Sequence, residues 1–356
     1  MLFAFATTAM RGPRAAEVTV YAPDNRRSRE FLREDLGLAL PWHEWADFGK
    51  HLQAAVRPFD LVVVGTFPPA AGMGVVERAL DAGWPVLALV HDIDYFARRD
   101  GAQAALERWP RLMVGFPGAA PARPVASFPA PVRSRITRFL PVVDFGAGGG
   151  TAAAGDRQRA GVGLPGTIEF SRRDFPGLLR LTAQTGIPLR IFGRSRQSGE
   201  DPVVAGVLAA DRRRLLREIG LAGASPYVSV SLDPSSRDFY RAVDSCRFIA
   251  IVPVSDAYLR GKLTGAVTAA VSCCVPMVAD RLAYACYAGA MPEAFSGCMV
   301  QVGDHPAGWK SVVAGTTPAA YEELCLAARR ARTLLLDENT ATLHGAMTIL
   351  GGRYAG

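Results

Sequence analysis

The chain has 356 residues, 49% of them hydrophobic and 21% charged, which is the composition of a folded protein with room for two domains of ordinary size. No apolar run approaches the roughly 20 residues that a membrane-spanning helix needs. The formal net charge of +7 comes from arginine far more than from lysine. No stretch interleaves aromatic and basic residues as a nucleic-acid-binding surface would, so we expect no nucleic-acid partner.

The six cysteines all lie in the second half of the chain, without the paired spacing of a zinc site. Several fall in or beside apolar segments, where a free thiol behaves as a small hydrophobic side chain. We therefore expect reduced thiols, no metal and a cytoplasmic protein. The basic charge favours anionic substrates and would also allow peripheral association with the inner membrane.

The first half of the chain alternates predicted strands and helices. Leu2–Ala9 is apolar but short, and no basic residue precedes it, so it predicts a buried first strand and not a signal peptide. Val18–Tyr21 predicts a second short strand, and Ser28–Leu36 predicts a helix that Ser28 caps. The continuous β-branched run in Phe59–Gly65 is typical of a buried parallel strand.

The same alternation continues to residue 145. Gly74–Ala82 predicts a helix that ends at Gly83, Pro85–Val90 a strand, Ala102–Trp109 a helix and Arg138–Val143 another strand. Residues 115–131 are rich in proline, alanine and glycine and predict loops. Strands separated by helices imply a parallel sheet, so residues 1–145 predict an α/β domain. The glycine- and alanine-rich residues 146–160 predict a linker.

A second alternating series predicts another α/β domain over residues 161–330. Its predicted strands are Gly161–Leu164, Leu189–Phe192, Tyr227–Ser231, Phe248–Val254, Val275–Asp280 and Met299–Val302, and its predicted helices are Arg173–Thr185, Asp211–Glu218, Ala266–Cys273 and Leu282–Tyr287. A long helix, Pro318–Leu335, follows by its apolar spacing. We expect residues 331–356 to form a helical segment that packs back on the first domain.

The most informative stretch is residues 236–280, where a helix, a buried strand, a polar loop, a second helix and a second buried strand follow one another. The loop contains Lys262, Thr264 and Gly265 and leads into the second helix. Backbone N–H groups at a helix start favour anions, and a lysine and a hydroxyl beside them add a charge and a donor. This order of parts resembles the nucleotide-sugar-binding half of glycosyltransferases of the GT-B architecture.

The resemblance implies an α/β fold of two Rossmann-like, doubly wound parallel-sheet domains that face each other across a cleft. The first domain would be the acceptor side, and the second would bind the nucleotide sugar. Lys262 would neutralise the leaving nucleoside diphosphate, with Thr264 and Gly265 beside it. Enzymes of this architecture generally hold the diphosphate with basic side chains and helix ends, so the resemblance implies no metal and no cofactor beyond the nucleotide-sugar co-substrate.

The first loop of the second domain supplies further donor-site candidates. Gly163 and Gly166 would allow the backbone to approach a ligand closely, and Arg172 and Arg173 could make bidentate contacts to a diphosphate. Such transferases commonly place a glycine and a basic residue in this loop. A solvated arginine pair at the start of a helix is the alternative interpretation.

Two more candidates follow the next predicted strands. Arg194 is a candidate for contact with a phosphate or the sugar, and Asp233 for contact with the base or the ribose. An aspartate that merely forms a turn before Pro234 is the competing interpretation.

The first domain offers a general base for the acceptor hydroxyl. His91 and Asp92 follow a predicted buried strand, and an inverting transfer needs such a group at the edge of a cleft. A satisfied polar turn at the strand end is the alternative. Trp42, His43 and Glu44 form a polar and aromatic cluster that could stack on a sugar.

Two features of the sequence do not fit a typical GT-B glycosyltransferase: a missing pair of glutamates and a motif like that of a methyltransferase. Many retaining members of this class carry two glutamates eight positions apart, but the matching positions here are Gly261 and Ala269, so the stereochemistry stays open. The segment Val142–Gly150, a strand followed by an aspartate and several glycines, looks like the first motif of S-adenosylmethionine-dependent methyltransferases. The helix that should follow that motif is interrupted by Gly155.

The sequence thus predicts a glycosyltransferase that moves a sugar from a nucleotide-sugar donor to a glycan, a lipid-linked acceptor or a protein. An S-adenosylmethionine-dependent methyltransferase and a non-catalytic relative that binds a glycan or a partner protein are the two alternatives.

Overall fold

The computed structural model describes residues 2–10, 17–21, 26–44, 47–50, 59–65, 73–90, 93–98, 102–118, 123–145, 159–195, 202–253, 258, 264–303 and 306–351. Within them the chain forms two compact units. The first lies within Met1–Asp144 and also takes in the last helix from Leu335 onward. The second lies within Phe145–Leu259 and Thr264–Leu334.

The first unit is built around parallel strands. These are β1 (Val20–Tyr21), β2 (Trp42–His43), β3 (Val62–Val64), β4 (Val86–Leu89), β5 (Leu112–Phe116) and β6 (Ile136–Arg138). Its own helices are α1 (Leu2–Ala9), α2 (Arg26–Glu30, continued by a π-helical turn at Phe31–Asp35), α3 (Met73–Asp81), α4 (Ile93–Arg98), α5 (Ala102–Arg108), α6 (Arg123–Ala126) and α7 (Ala130–Arg133). Strands β3 to β6 form one sheet in sequential order, and β1 pairs with β2 in a separate one.

The second unit contains a six-stranded sheet. Its strands are β7 (Val162–Pro165), β8 (Leu189–Gly193), β9 (Val228–Leu232), β10 (Phe248–Ile251), β11 (Met277–Ala279) and β12 (Met299–Gln301). Its helices are α8 (Phe175–Thr185), α9 (Pro202–Leu221), α10 (Ser236–Asp244), α11 (Gly265–Ser272), α12 (Arg281–Tyr287), α13 (Pro292–Phe295), α14 (Pro306–Trp309) and the start of α15 (Pro318–Gly351). The strands are all parallel, in the order β12-β11-β10-β7-β8-β9.

Both sheets bury their central strands, because helices cover their faces. Every residue of β4 and of β10 is buried, which is what their continuous apolar sequences require of interior parallel strands. In the first unit, Leu87 and Leu89 of β4 share a cluster with Leu343 and Ala346 from the end of α15. That end of α15 therefore completes the core of the first unit.

Polar contacts fix the same part of α15. Asn339 is buried, and its amide pairs with both backbone groups of Leu140: Nδ2 donates to the carbonyl oxygen at 2.6 Å, and Oδ1 accepts from N–H at 3.1 Å. The preceding residue, Glu338, accepts two hydrogen bonds from Arg138 Nη2, at 2.8 and 2.9 Å. The asparagine side chain thus satisfies the backbone N–H and carbonyl of Leu140, as a neighbouring strand would.

Several predicted elements differ in the structure. Leu2–Ala9 is the helix α1 and not a strand, and the hydroxyls of Thr7 and Thr8 both donate to the carbonyl oxygen of Ala4 within it. The strand predicted for Arg138–Val143 ends at Arg138, because the chain turns where Val142 N–H donates to the carbonyl oxygen of Leu140.

Other element boundaries also differ between the prediction and the structure. Ser28 lies inside α2 and does not cap it, and α8 begins at Phe175 with Asp174 as its N-cap, so Arg173 precedes that helix. Strand β5 was not predicted. Among the described residues, no helix combines the length and the apolar character needed to cross a membrane.

Candidate functional site

The sheet of the second unit reverses its strand order beside β7. The chain runs from β7 through β8 to β9 on one side and then crosses to β10 on the other side of β7. In open α/β sheets, ligands bind outside the carboxyl ends of the strands at such a switch point. Gly166 follows β7 there, and Pro253 lies just beyond β10. The carboxyl ends of these two strands therefore define the candidate site.

Arg173 lies at this switch point. Its backbone forms an antiparallel bridge with Pro253, and its Nη2 donates a 2.6 Å hydrogen bond to the carbonyl oxygen of Pro165, the last residue of β7. Its Nη1 is buried and has no hydrogen-bond partner among the residues that the structure describes. Burial lowers the pKa of the guanidinium to about 10, so the group stays charged at neutral pH. A charged group with a buried, unsatisfied N–H is costly, and an anion bound at Nη1 would remove that cost.

Two glycines make room for this arginine. Gly166 has a φ of +118°, and a β-carbon there would collide with the guanidinium of Arg173. Gly193, at the end of β8, packs so closely on the carbonyl of Gly166 that a β-carbon would overlap it. The predicted candidate Gly166 thus lies in the site, next to the predicted Arg173.

Gly163 has a different environment. It lies inside β7, and a β-carbon there would approach Cys246 Sγ and Ile249 Cδ1 to 2.7 Å. Packing in the sheet core therefore accounts for a glycine at this position without any ligand.

Arg172 has protein partners, unlike its neighbour. Its Nε forms a 2.7 Å ion pair with Glu169 Oε2, and its Nη1 donates a 2.8 Å hydrogen bond to the hydroxyl of Tyr258. The side chain is 44% exposed. The structure thus distinguishes the two predicted arginines: Arg172 is ion-paired and half-exposed, whereas Arg173 has a buried N–H without a partner among the described residues.

Asp233 and Ser195 clamp the loops after β8 and β9 together. Asp233 Oδ1 accepts from Ser195 N–H at 2.8 Å, and Oδ2 accepts from Ser195 Oγ at 2.6 Å. Asp233 holds this geometry with a φ of +52°, which is uncommon outside glycine. Both carboxylate oxygens are therefore engaged by the protein. Arg194 lies between Gly193 and Ser195 in the loop after β8, and its side chain is exposed.

Thr264 and Gly265 begin α11. Thr264 is the N-cap, and its Oγ1 accepts a 3.4 Å hydrogen bond from Ala266 N–H. A β-carbon at Gly265 would meet no atom within 4 Å, so packing does not require a glycine there. The backbone of Thr264 is also hydrogen-bonded to the hydroxyl of Tyr287, which donates a 2.7 Å bond to the carbonyl oxygen of Tyr258.

Three predicted site residues, His91, Asp92 and Lys262, lie outside the described residues, so their roles stay predictions. In chain order, His91 and Asp92 fall between the end of β4 at Leu89 and the start of α4 at Ile93. Within the part of the chain that the structure describes, no group of three or more histidine, cysteine, aspartate and glutamate residues is arranged to hold a metal ion.

The aromatic cluster around His43 packs internally. The ring of His43 stacks on Tyr21 at 5.3 Å, and Tyr21 contacts Phe59 at 5.9 Å. Phe59 in turn contacts Trp84 at 5.9 Å. Phe59 and Trp84 precede β3 and β4, so this cluster lies near the amino ends of those strands. The base predicted at His91 or Asp92 belongs to the opposite end of β4.

The sequence did not predict four residues that contact the candidate site residues: Glu169, Ser195, Tyr258 and Tyr287. Only the first gave a signal, because Glu169 and Arg172 have the spacing of a local ion pair. The others contact residues distant in sequence. Nothing in their local sequence distinguishes them.

No protein-family model matches the sequence, and no curated protein matches it. Solved structures do match. HepE from Anabaena, in complex with UDP and glucose, is 13% identical with a TM-score of 0.60 over 96% of this chain and 94% of that one. A glycosyltransferase from Rickettsia africae is 9% identical with a TM-score of 0.61, over 94% and 90% of the two chains. A UDP-forming trehalose-phosphate synthase from Burkholderia xenovorans, in complex with glucose-6-phosphate, is 14% identical with a TM-score of 0.53, over 86% and 77%.

These likenesses confirm the predicted fold class. The chain is an α/β protein with the GT-B glycosyltransferase fold, in which two Rossmann-like domains carry parallel sheets. They lend no support to the methyltransferase alternative. At this level of identity the agreement concerns the fold, and the chemistry has to be argued from the residues.

Proposed function

We propose that this protein is a glycosyltransferase that uses a nucleoside diphosphate sugar, and that Arg173 binds the diphosphate. The observation that carries the proposal is the buried Nη1 of Arg173, which lacks a partner among the described residues at the switch point of the second unit. A guanidinium presents paired N–H groups that match phosphate oxygens, and Gly166 lets the backbone approach such a ligand closely.

UDP is the donor nucleotide that the comparisons favour. HepE, which has the same fold, holds UDP, and the Burkholderia synthase forms UDP. Thr264 and Gly265 at the start of α11 would supply backbone N–H groups and a hydroxyl, and Lys262, just before them in sequence, would add charge to the diphosphate. Arg194 is exposed after β8 and is the candidate for the sugar or a phosphate.

The remaining assignments are also proposals. Asp233 would act through the loop that it fixes, because both of its oxygens already accept hydrogen bonds from Ser195. His91 or Asp92 would take the proton from the acceptor hydroxyl of a glycan, a lipid-linked sugar or a protein. In this reaction the acceptor oxygen bonds to the anomeric carbon, the bond to the diphosphate breaks, and the nucleoside diphosphate leaves near Arg173.

Calorimetry with UDP tests the proposal. The wild-type protein should bind UDP, and Arg173→Gln should weaken binding about 100-fold, because it removes a buried charged contact to the diphosphate. Arg180→Gln is the matched control. It should change the dissociation constant less than about threefold, since Arg180 is exposed on α8 and the proposal gives it no part in the site. Equal affinity of the wild type and Arg173→Gln would contradict the proposal.

The alternatives have their own readouts. A methyltransferase would bind S-adenosylmethionine, and we expect no heat from that titration. A non-catalytic relative would bind ligand but turn over no donor. Release of UDP from UDP-glucose by the wild type, lost in Arg173→Gln, would exclude that alternative.

A further inference from the structure

Tyr287 is the last residue of α12, and its ring is buried in the second unit, with 1% of the residue exposed. Its hydroxyl reaches the chain before α11. There it donates a 2.7 Å hydrogen bond to the carbonyl oxygen of Tyr258 and is itself hydrogen-bonded by the backbone of Thr264. One hydroxyl therefore connects residues 258 and 264, the two described ends of the segment between them.

Tyr258 is attached at a second point as well. Its own hydroxyl accepts the 2.8 Å hydrogen bond from Arg172 Nη1, and the guanidinium of Arg172 lies 5.7 Å from the centre of its ring. Arg172 is in turn held by its ion pair with Glu169. These contacts link Tyr258 to the loop after β7, which is the loop that contains Arg173.

We infer that Tyr287 is a positioning residue of the donor site, whose hydroxyl fixes Tyr258 and the start of α11 relative to the loop that contains Arg173. The inference rests on the proposed function, because it assigns Tyr287 to the same site. A phenylalanine would fill the same core volume, so the hydroxyl is the part of the side chain that packing does not explain. When both ends of a segment are fixed before a ligand binds, less conformational entropy is lost on binding.

The test compares Tyr287→Phe with Tyr321→Phe. Tyr321 makes an equivalent contact in the same unit, a 2.8 Å hydrogen bond from its hydroxyl to the carbonyl oxygen of Arg247, which precedes β10. Both variants lose one buried hydroxyl and should lose similar stability. We expect the dissociation constant for UDP to rise about tenfold in Tyr287→Phe, as one lost buried hydrogen bond predicts, and to stay within about twofold of wild type in Tyr321→Phe.

Limited digestion with trypsin provides a readout that needs no ligand. Residues 259–263 contain two cleavage positions, after Arg260 and after Lys262. Tyr287→Phe should accelerate cleavage there, whereas Tyr321→Phe should be cut at the wild-type rate. Cleavage and UDP affinity that both stay at wild-type values in Tyr287→Phe would overturn the inference, as would equal weakening of UDP binding in the two variants.

Failure of the proposed function would look different. A wild-type protein that binds no UDP would reject both the donor assignment and the role of Tyr287 in it. Faster cleavage of Tyr287→Phe in that case would show that the hydroxyl holds the segment for some other purpose.

Discussion

At the scale of single residues, the arginines of the second unit differ in what neutralises them. Arg159 is buried, and its Nη2 forms a 2.7 Å ion pair with Asp244. Arg172 pairs with Glu169 at the same distance. Arg173 has no ion pair among the described residues, and its terminal Nη1 lacks any partner there. A guanidinium with a buried N–H and no direct ion pair suits a site that binds an anion, because a carboxylate bonded at that N–H would compete with the ligand.

The sequence could not distinguish Arg172 from Arg173. The loop with two adjacent arginines and its glycines could be recognised, because glycine and arginine have specific uses near phosphate. Which arginine has a buried N–H depends on Pro253, which lies just beyond β10 and bridges to Arg173 from 80 positions away in the chain. The same limit applies to Asp233, whose candidacy for the base or ribose stays a prediction: both of its oxygens accept hydrogen bonds from Ser195, 38 positions away in the chain.

Asp233 gives a prediction for stability at the residue scale. Asp233→Ala should lower the free energy of unfolding by about 2–3 kcal/mol. It removes the two hydrogen bonds from Ser195 that offset the strain of a positive φ, and alanine is strained at that φ as well. Urea unfolding measures this change. Asp174→Ala is the matched control, because Asp174 caps α8 through one hydrogen bond to Gly177 N–H at ordinary φ, and it should cost about 1 kcal/mol. Similar losses in the two variants would show that the left-handed turn contributes nothing.

At the scale of elements, the strands with continuous β-branched or apolar runs were predictable, as β4 and β10 illustrate. Leu2–Ala9 was not, because a short apolar run fits a buried strand and a buried helix equally well. Its three alanines favour the helix, and within that helix the hydroxyls of Thr7 and Thr8 donate to the carbonyl oxygen of Ala4. Strand β5 was missed because the proline-rich sequence after it suggested loops from residue 115 onward.

The long helix α15 supplies a prediction at the same scale. Asn339→Leu should lower the free energy of unfolding by about 3 kcal/mol, because the N–H and the carbonyl of Leu140 would both lose their partner in a buried position. Thr333→Ala, at an exposed position of the same helix, should change it by less than about 0.5 kcal/mol. Chemical denaturation followed by circular dichroism provides the comparison. A loss below 1 kcal/mol for Asn339→Leu would mean that water replaces the amide.

At the scale of the whole molecule, the order of strands and helices predicted two parallel-sheet domains, and the resemblance of that order to GT-B glycosyltransferases predicted the fold. The alternation restricts each half to a parallel sheet, and right-handed crossovers leave few arrangements of the strands. The switch point, which places the candidate site, follows only from the order of strands in the second sheet. That order depends on β10 pairing with β7 and not with β9, a choice that local sequence does not encode.

The buried thiols of the second unit make the stability of the molecule depend on pH. Burial raises the pKa of Cys246 and of Cys298 to about 12, and it also raises the pKa of Cys273. In the unfolded chain these thiols ionise near their ordinary pKa of about 8.5. The folded state therefore holds protons that the unfolded state has lost. The stabilisation is complete below that pH and declines as the pH rises toward the folded values.

We expect the free energy of unfolding to fall between pH 8 and pH 10, with each such thiol contributing about 1.4 kcal/mol per pH unit once the unfolded thiol is ionised. Urea unfolding under reducing conditions at several pH values measures the slope. Cys298→Ala should make the slope shallower by about that amount, because it removes one buried thiol. Cys286→Ala should have a smaller effect, since Cys286 is only half-buried. Stability that stays constant from pH 8 to pH 10 would show that these thiols reach water in the folded protein, and the core around β10 and α11 would then be more open than its packing indicates.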